Sequence, residues 1–413
     1  MGREGNIRGE KLLRGSTKFA RKPGLLARAM APGFHNILDR IDAGLESGSL
    51  LCHLPDNTTR LLGERAPGHN SEVNLHNWNV MIRLATSGSV GWYQAWEAGE
   101  WSSPDLVSLF ALFNANALPL GSTARAGGPW RWAARFAHWL NRNSREGSAR
   151  NIHAHYDLGN DFYSAWLDPT MSYSSAIFKE GDDLEAAQRG KWEALSDRLG
   201  RPETVLEIGC GWGGLADHFA RRGAEVTAIS LSGEQLAHAR EAYDPAIDFR
   251  KQDYRDVSGQ FDAIVSVEMV EAVGREYWPS FFDCIAKNLK NGGKAAIQFI
   301  TMCDELFDEY AAGADFIQAF VFPGGLLVRE SEFRELAAKY GLAWQDQQSF
   351  GHDYARTLEL WRQNFETAIE RGLLPAGFDE RFARLWRYYL MYSEGGFRGG
   401  GIDVCQVTLV KNG

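Results

Sequence analysis

A short glycine-rich turn carries the clearest chemical signal in the chain. The aliphatic run 205–208 is typical of a buried strand, contains Glu207, and is followed by Gly209 and Gly211. A helical segment comes next, so the pattern predicts a strand, a tight turn and a helix N-terminus. Such a turn brings backbone N–H groups close to a nucleotide-like ligand, and a Cβ at either glycine would occupy the ligand's space. By itself the motif fits NAD, FAD, S-adenosylmethionine or a purely structural turn.

The ends of the next two predicted strands narrow the choice of ligand. A NAD site would place an acidic residue about 20 residues after the glycines, but the second strand ends at Ser230, and Gln235 follows it. Asp253 and Tyr254 end the third strand. There the carboxylate would accept from the exocyclic amine of adenine and the tyrosine would cover the ring. These residues favour S-adenosylmethionine, whose sulfonium is attracted to aromatic faces and whose ammonium suits Glu207.

The strand ends belong to a regular alternation of strands and helices that begins near residue 152. Apolar runs that predict strands are separated by segments with helical spacing. The alternation predicts a doubly wound α/β sheet with its ligand at the carboxyl ends of the strands. The predicted strands cover residues 205–208, 225–230, 247–251, 261–267, 294–300, 342–347 and 404–410.

Composition divides the chain into four predicted parts. Residues 1–26 are basic and predict a flexible tail, either solvated or in contact with anionic lipid. Residues 27–120 predict a small α+β domain, in which residues 73–84 alternate like a strand. Residues 121–150 predict a linker, and residues 151–413 the main domain.

Two aromatic segments interrupt this plan. In the linker, Pro129–Arg142 has the spacing of a helix with aromatic residues on one side and arginines beside them. Such a helix suits an interfacial membrane contact, or it docks its aromatic face on its own domain. In the main domain, residues 302–327 carry five aromatic residues, and we interpret this insertion as a lid.

Charge, cysteine content and hydropathy exclude several classes of protein. A net charge of −9 argues against a general nucleic-acid binder. Five cysteines without regular spacing indicate neither a disulfide framework nor a zinc site, and His153 and His155 lack a third ligand for a metal. No apolar run approaches the ~20 residues that span a bilayer. We therefore expect a cytoplasmic protein that meets a membrane only peripherally, at its inner surface.

Five motifs follow one another in order from about His153 onward. They are His155-Tyr-Asp-Leu-Gly-Asn-Asp-Phe-Tyr163, Leu167-Asp-Pro-Thr-Met-Ser-Tyr-Ser174, Leu206-Glu-Ile-Gly-Cys-Gly-Trp-Gly-Gly214, Ser266-Val-Glu-Met-Val-Glu271 and Phe350-Gly-His-Asp-Tyr354. In these motifs the chain resembles the cyclopropane-fatty-acyl-phospholipid synthase family, which includes the mycolic-acid cyclopropane synthases. The resemblance implies a Rossmann-like class I methyltransferase with a doubly wound, mostly parallel seven-stranded sheet, and the segment 88–106 resembles the small N-terminal domain of the bacterial enzymes. It also assigns Tyr173 and Ser174 to the cofactor site.

The resemblance implies methyl transfer from S-adenosylmethionine to the cis double bond of a phospholipid-borne acyl chain. An alkene is a weak nucleophile, so positioning supplies much of the acceleration. Attack leaves a carbocation, best stabilised in a dry aromatic-lined cavity. A base then removes a proton and thereby decides between a cyclopropane and a methyl-branched or methylene product.

The expected base is where this chain departs from the family. In cyclopropane synthases the base resembles a bicarbonate held by a Cys, a Glu, a His and a Tyr. Glu271 and Tyr354 match two of these, but Ser175 stands at the Cys position and Gln298 at the His position. An extra acid, Glu268, lies three residues before Glu271. Bicarbonate is therefore in doubt, and either glutamate is a candidate for a relocated base, unless both simply favour the start of a helix.

Three functions compete on this sequence. The first is a methyltransferase that acts on unsaturated acyl phospholipid at a membrane surface. The second is the same fold acting on a small soluble acceptor, and the third is a non-catalytic lipid-binding relative. A homodimer is compatible with all three, and the sequence does not fix the oligomeric state.

Overall fold

The computed structural model describes residues 8–10, 12–13, 31–121 and 158–412. The predicted tail lies largely outside these residues, as do the linker helix and both histidines at 153 and 155. The chain divides into two compact units. The first contains the N-terminal residues together with Cys303–Pro323 and Phe378–Ile402, and the second contains most of the remainder, including Gly324–Gly377 and Asp403–Gly413.

Within the described residues 31–121 and 158–412, the chain forms fourteen helices, twelve strands and three single 3₁₀ turns. The helices are α1 (Ala31–Gly44), α2 (Asn79–Glu97), α3 (Leu106–Ala115), α4 (Ala117–Leu120), α5 (Asn160–Ser164), α6 (Leu184–Leu199), α7 (Gly214–Ala220), α8 (Gly233–Ala242), α9 (Trp278–Asn288), α10 (Asp304–Ala311), α11 (Phe316–Phe320), α12 (Glu330–Lys339), α13 (Gly351–Glu370) and α14 (Glu380–Gly399). The strands are β1 (Ser49–His53), β2 (Thr59–Gly63), β3 (Asn70–Leu75), β4 (Trp101–Ser102), β5 (Thr204–Ile208), β6 (Glu225–Ser230), β7 (Asp248–Lys251), β8 (Phe261–Val267), β9 (Leu289–Met302), β10 (Val328–Arg329), β11 (Leu342–Ser349) and β12 (Ile402–Lys411). The 3₁₀ turns are Tyr254–Asp256, Val270–Ala272 and Arg275–Tyr277.

The second unit is built on a sheet in the order β11-β12-β9-β8-β5-β6-β7, with the short β10 beside β9. Strands β5 to β9 pair in parallel, and β11 is antiparallel to β12. Aliphatic residues such as Val205, Ile264 and Ala296 are fully buried on these strands because helices cover the sheet. The predicted doubly wound, mostly parallel sheet is confirmed, and the short β10 adds an eighth strand to the seven that were predicted.

The first unit combines a four-stranded sheet, in the order β2-β1-β3-β4, with several helices. On α14, a Cβ added to Gly395 would lie 2.4 Å from the Phe110 Cβ, and one added to Gly399 would lie 2.5 Å from the Ala111 carbonyl oxygen. The two glycines, one helical turn apart, therefore allow α14 to pack closely on α3. The predicted small N-terminal α+β part of the fold is confirmed.

The first unit contains segments of the chain that the predicted domain boundaries placed in the main domain. The insertion was assigned to the main domain, but residues 303–323 group with the N-terminal residues. The reason is aromatic packing, since the Tyr93 ring lies 4.9 Å from Phe316, 4.7 Å from Phe320 and 4.9 Å from Tyr388, centroid to centroid. These side chains are buried, so this part of the segment belongs to a packed core of the first unit.

One local prediction was wrong. The alternating residues 73–84 were expected to form a strand, but β3 ends at Leu75 and α2 begins at Asn79. Val80 and Met81 are buried as neighbours on a helix, which a strand with one exposed face does not allow. Within the described residues, no helix is both long and apolar enough to cross a membrane.

Candidate active site

The glycine turn lies between β5 and α7, at the carboxyl edge of the sheet. Gly209 and Gly211 have φ angles of 86° and 53°, a left-handed conformation that favours glycine. A Cβ added to Gly211 would meet nothing within 4 Å, so open space faces this residue. A Cβ on Gly209 would instead lie 2.7 Å from the Met269 side chain. Ligand approach therefore explains Gly211, whereas packing against Met269 explains Gly209.

Glu207 is a buried carboxylate beside this turn. It accepts a hydrogen bond from the backbone N–H of Ala216, at the start of α7. Its Oε2 is buried and finds no hydrogen-bond partner in the described part of the chain. Burial raises the pKa of Glu207 to about 8. An unpartnered acceptor of this kind is suited to a cationic ligand group such as an ammonium.

The predicted adenine residues lie at the ends of β6 and β7. The Ser230 hydroxyl lies 3.3 Å from Gln235 Oε1 and accepts from the backbone N–H of Ser232. Asp253 accepts from the Arg255 guanidinium at 2.8 and 2.5 Å, so its carboxylate is held in one orientation. The hydroxyl of Tyr254 is buried and lacks a hydrogen-bond partner among the described residues. Sequence reasoning did not include Arg255, which fixes the predicted adenine acceptor.

A buried lysine holds the segment that contains Tyr173 and Ser174. The Lys191 ammonium donates to Ser174 Oγ and to Gln188 Oε1, both at 2.6 Å. The Gln188 amide donates in turn to the Ser174 carbonyl at 2.9 Å. Burial lowers the pKa of Lys191 to about 8, opposed by Glu268, Asp168 and Glu207. The sequence analysis did not identify Gln188 and Lys191. The signal that could have indicated them is their spacing, since two polar residues three apart lie on the same face of a helix, here the buried face of α6.

The carboxylate of Glu268 lies at the centre of a set of hydrogen-bond donors. Its Oε1 accepts from the Ser175 backbone N–H at 2.9 Å and from Gln298 Nε2 at 2.8 Å. Its Oε2 accepts from the Tyr354 hydroxyl at 2.7 Å. Burial raises the pKa of Glu268, while these three donors lower it. Four of the predicted catalytic residues are thus brought together in one cluster.

The fold dictates this cluster locally. Val267, the last residue of β8, pairs with Gln298 on β9. Glu268 is the next residue of the chain and therefore lies beside the Gln298 amide. Glu268 adopts a φ of 47°, and its N–H donates to the Gln298 carbonyl at 2.8 Å. A left-handed non-glycine residue costs about 1–3 kcal/mol and persists where the surroundings fix it, often at functional sites.

The fifth predicted catalytic residue, Glu271, has a different environment. Its Oε1 accepts from the Ile300 backbone N–H at 2.6 Å, while its buried Oε2 has no hydrogen-bond partner within the described segments. Burial, and next the neighbouring charge of Glu268, raise the pKa of Glu271 to about 8. The environments separate the two glutamates: three donors oppose the effect of burial on the pKa of Glu268, whereas burial and the neighbouring carboxylate both raise that of Glu271.

The residues expected to hold bicarbonate do not fit a separate anion. Gln298 and Tyr354 donate to the Glu268 carboxylate, and the Ser175 hydroxyl donates to the Ala176 carbonyl at 3.0 Å instead of facing the site. A second anion would compete with Glu268 for these donors and would meet its negative charge. The chain supplies its own carboxylate where the resemblance placed bicarbonate.

Comparison with known proteins agrees with this geometry. A family described as mycolic acid cyclopropane synthetase matches residues 143–407, more than half of the chain. The chain belongs to this family. It is an S-adenosylmethionine-dependent methyltransferase.

Three members indicate how closely the chain follows the family. It is 39% identical over 391 residues to the tuberculostearic acid methyltransferase UfaA1 of Mycobacterium tuberculosis, covering 88% of each protein. It is 32% identical over 358 residues to the cyclopropane-fatty-acyl-phospholipid synthase of Escherichia coli K12, covering 83% of this chain and 89% of that one. The structure of mycolic acid cyclopropane synthase CmaA1 complexed with SAH and CTAB is 28% identical, with a TM-score of 0.58, over 64% of this chain and 98% of that one.

The site fits S-adenosylmethionine on its own evidence. The unpartnered Glu207 oxygen suits the ammonium of this cofactor, and the open space at Gly211 suits close approach to the turn. When bound, the cofactor supplies an electrophilic methyl group. Glu207 would hold the amino-acid end, and Asp253, fixed by Arg255, would accept from the adenine amine.

Because Glu207 must be ionised to pair with an ammonium, cofactor binding is expected to depend on pH. Its pKa of about 8 in the free protein means that affinity rises with pH up to about 8, and it falls at higher pH because the α-ammonium of the free cofactor loses its own proton there. The limiting slope below 8 is about tenfold per pH unit, as one proton is released on binding. Isothermal titration calorimetry in buffers of different ionisation enthalpy measures both the affinity at each pH and the number of protons released on binding.

Glu207→Gln is the matched variant for this test. Its amide oxygen still accepts, but the charge is lost, so affinity is expected to fall about tenfold at pH 8. The rise of affinity below pH 8 and the proton release are expected to disappear together. An unchanged pH dependence in this variant would assign the titration to another group.

Proposed function

We propose that this methyltransferase transfers a methyl group from S-adenosylmethionine to the cis double bond of an unsaturated fatty acyl chain of a phospholipid. We further propose that Glu268 is the base and that the product is methyl-branched or methylene-bearing. The observation that supports this most directly is the Glu268 carboxylate, which accepts from Ser175, Gln298 and Tyr354. The relatives named above, a fatty acid methyltransferase and a fatty-acyl-phospholipid synthase, support the acyl substrate.

In the first step, the π electrons of the alkene form a bond to the methyl carbon, and the sulfur keeps the electron pair of the broken bond. The chain's contribution is to hold the alkene in line and to exclude water. An aromatic wall borders the base: the Trp361 ring lies 5.2 Å from Tyr173 and 6.2 Å from Tyr354, centroid to centroid. Aromatic faces stabilise a cation in such a dry environment.

In the second step, Glu268 accepts one proton from the carbocation. Direct loss of a proton from the new methyl, with bond formation to the cationic carbon, gives a cyclopropane. If a hydride first shifts from the methyl-bearing carbon to the cationic carbon, the positive charge moves to the methyl-bearing carbon. Loss of a methyl proton then forms a double bond between the methyl carbon and the carbon that bears it, which gives the methylene product. Loss of a proton from a neighbouring chain carbon gives a methyl-branched alkene. A carboxylate fixed on the protein, instead of an exchangeable anion, favours one of these outcomes by its position.

The protein is proposed to act at a membrane surface, since a phospholipid acyl chain is presented there. The basic-aromatic segment of the linker supports this proposal by its composition. A small soluble acceptor is the alternative.

The deciding experiment identifies the product. Dioleoyl phosphatidylglycerol vesicles are incubated with the protein and S-adenosylmethionine carrying a ¹³C-methyl group, and the released fatty acids are analysed by NMR and mass spectrometry. An exocyclic methylene or a branched methyl signal is expected. Cyclopropane signals alone would contradict the proposed product, whereas transfer only to soluble acceptors would contradict the proposed substrate.

A further inference from the structure

A line of side-chain hydrogen bonds runs from the edge of the second unit to Glu268. The Arg198 Nε donates to Gln406 Oε1 at 3.1 Å, and Gln406 Nε2 donates to Gln298 Oε1 at 3.0 Å. Gln298 Nε2 then donates to Glu268 Oε1 at 2.8 Å. Arg198 lies on α6, Gln406 on β12 and Gln298 on β9, and Glu268 follows the end of β8. The strands β12, β9 and β8 are neighbours in the sheet.

The direction of this line is fixed at its outer end. A guanidinium only donates hydrogen bonds, so the atom of Gln406 that faces Arg198 must be its carbonyl oxygen. The NH₂ group of Gln406 then faces Gln298, whose own oxygen must turn toward it. Both glutamines are fully buried, so water cannot replace either bond.

We propose that Arg198 and Gln406 are positioning residues, which set the direction of two successive amides so that Gln298 presents an N–H, and not a carbonyl oxygen, to Glu268. The inference rests on the proposed role of Glu268 as the base. In the family resemblance a histidine stands at the position of Gln298, and a glutamine is useful here only when its amide is turned the correct way.

The anchor of the line is independent of the site. Arg198 Nη1 also donates to the Asp346 carbonyl and, at 3.3 Å, to the Thr408 hydroxyl. These bonds hold the guanidinium whether or not Glu268 is ionised. If the Gln298 amide were reversed, its oxygen would face the carboxylate, and the ionised form of Glu268 would lose a donor and gain a repulsive dipole.

Other titratable groups also face Glu268 and are left in place by changes at the outer end. They are the Tyr354 hydroxyl on α13, Glu271 in the 3₁₀ turn and Lys191 on α6. Variants of Arg198 or Gln406 leave these three groups in place. Gln406→Met changes the donor without changing any charge, whereas Gln406→Glu adds a negative charge to the line and Arg198→Met removes a positive one, so a shift of the pH profile in Gln406→Met assigns the effect to the direction of the amide.

Gln406→Glu gives the sharpest test. A glutamate there still accepts from Arg198 but cannot donate to Gln298, so it draws the Gln298 NH₂ toward itself and turns the amide oxygen to Glu268. We expect the acidic limb of the pH profile of kcat to move up by about 1–2 pH units, the equivalent of one hydrogen bond to a charged group. Gln406→Met and Arg198→Met no longer fix the orientation of the Gln298 amide, but they do not reverse it. The acidic limb of the pH profile is therefore expected to move up by a smaller amount.

Thr408→Val is the matched control, because it removes a contact of Arg198 and leaves the line of amides intact. Its pH profile is expected to coincide with that of the unmodified protein. Circular dichroism and cofactor binding by calorimetry establish that each variant is folded, and Arg198→Met serves if the buried glutamate prevents folding.

The outcomes separate this inference from the proposed function. If the Gln406 and Arg198 variants show the same acidic limb as Thr408→Val, the positioning role is wrong, even where Glu268→Gln abolishes product. If Glu268→Gln retains full product formation, the proposed base is wrong, and a shift in the other variants would no longer report on it.

Discussion

Replacing Glu268 with glutamine is expected to lower the rate of methyl transfer by about 10²- to 10⁴-fold, the usual contribution of a positioned general base. Glutamine has the same shape but cannot accept a proton from the carbocation. It also places an NH₂ group where Ser175, Gln298 and Tyr354 all donate. Single-turnover formation of ¹³C-labelled product measures the chemical step.

Glu271→Gln is the matched comparison, since it makes the same change three residues away. The raised pKa of about 8 means that Glu271 is protonated at neutral pH, and a neutral amide imitates that state. We expect a loss of less than about tenfold at pH 7, because no ionised base is removed. The reverse result, a larger loss in Glu271→Gln than in Glu268→Gln, would exchange the roles of the two glutamates.

The pH dependence of stability gives a second measure of Glu271. Its folded pKa of about 8 lies above the ordinary value of 4.5, so the folded state binds the proton more tightly. The resulting stabilisation is complete below pH 4.5 and is lost as the pH rises through 8. Urea unfolding at pH 6 and at pH 9 measures this effect. Between these two pH values, the unfolding free energy of Glu271→Gln is expected to fall by less than that of the unmodified protein.

The cofactor end of the site could be predicted from sequence because its signals are local. Glu207, the glycine turn and Asp253 each follow a strand directly, and in a parallel sheet the carboxyl ends of the strands meet at one edge. The contacts that require each of these residue types could not be predicted from the sequence. Gly209 gives room to Met269, and Asp253 is held by Arg255, contacts that only the folded chain defines.

The arrangement around Glu268 could not be predicted, because its partners are distant in sequence. Ser175, Gln298 and Tyr354 are 93, 30 and 86 residues away. The departures from the family identified Ser175, Gln298 and Glu268 one by one, as a lost Cys, a lost His and an added acid. That the added carboxylate occupies the donors left by the other two changes is a property of the register between β8 and β9 and of the left-handed residue at 268.

The grouping of residues 303–323 with the N-terminal part of the chain has a similar explanation. An aromatic-rich insertion predicts a large apolar surface, but sequence alone does not show which surface covers it. The contacts of Phe316 and Phe320 with Tyr93 supply the answer. Spacing in the sequence indicates that a segment is apolar, and three-dimensional packing decides to which core it belongs.

Replacing Lys191 with methionine is expected to lower kcat by about 100-fold, the equivalent of one or two lost hydrogen bonds to a charged group. The ammonium fixes Ser174 and Gln188, which hold the backbone just before the Ser175 N–H that donates to Glu268. Its positive charge also favours the ionised form of Glu268. The pH profile of kcat is expected to show its acidic limb displaced upward, a change that loosened packing alone does not produce.

Stability is expected to respond much less than activity to the same change. Methionine removes the cost of a buried charge but leaves Ser174 Oγ and Gln188 Oε1 without their donor, so the two effects oppose each other and the unfolding free energy changes by less than about 2 kcal/mol. Arg189→Met is the control on the same helix, since Arg189 is largely exposed, forms an ion pair with Glu185 one turn away and otherwise lies over the Trp192 ring, away from Glu268. If Lys191→Met retained normal kcat with an unchanged pH profile, Lys191 would be a structural residue. A large loss of activity with little loss of stability would show that this lysine holds the base in place at a cost to the fold.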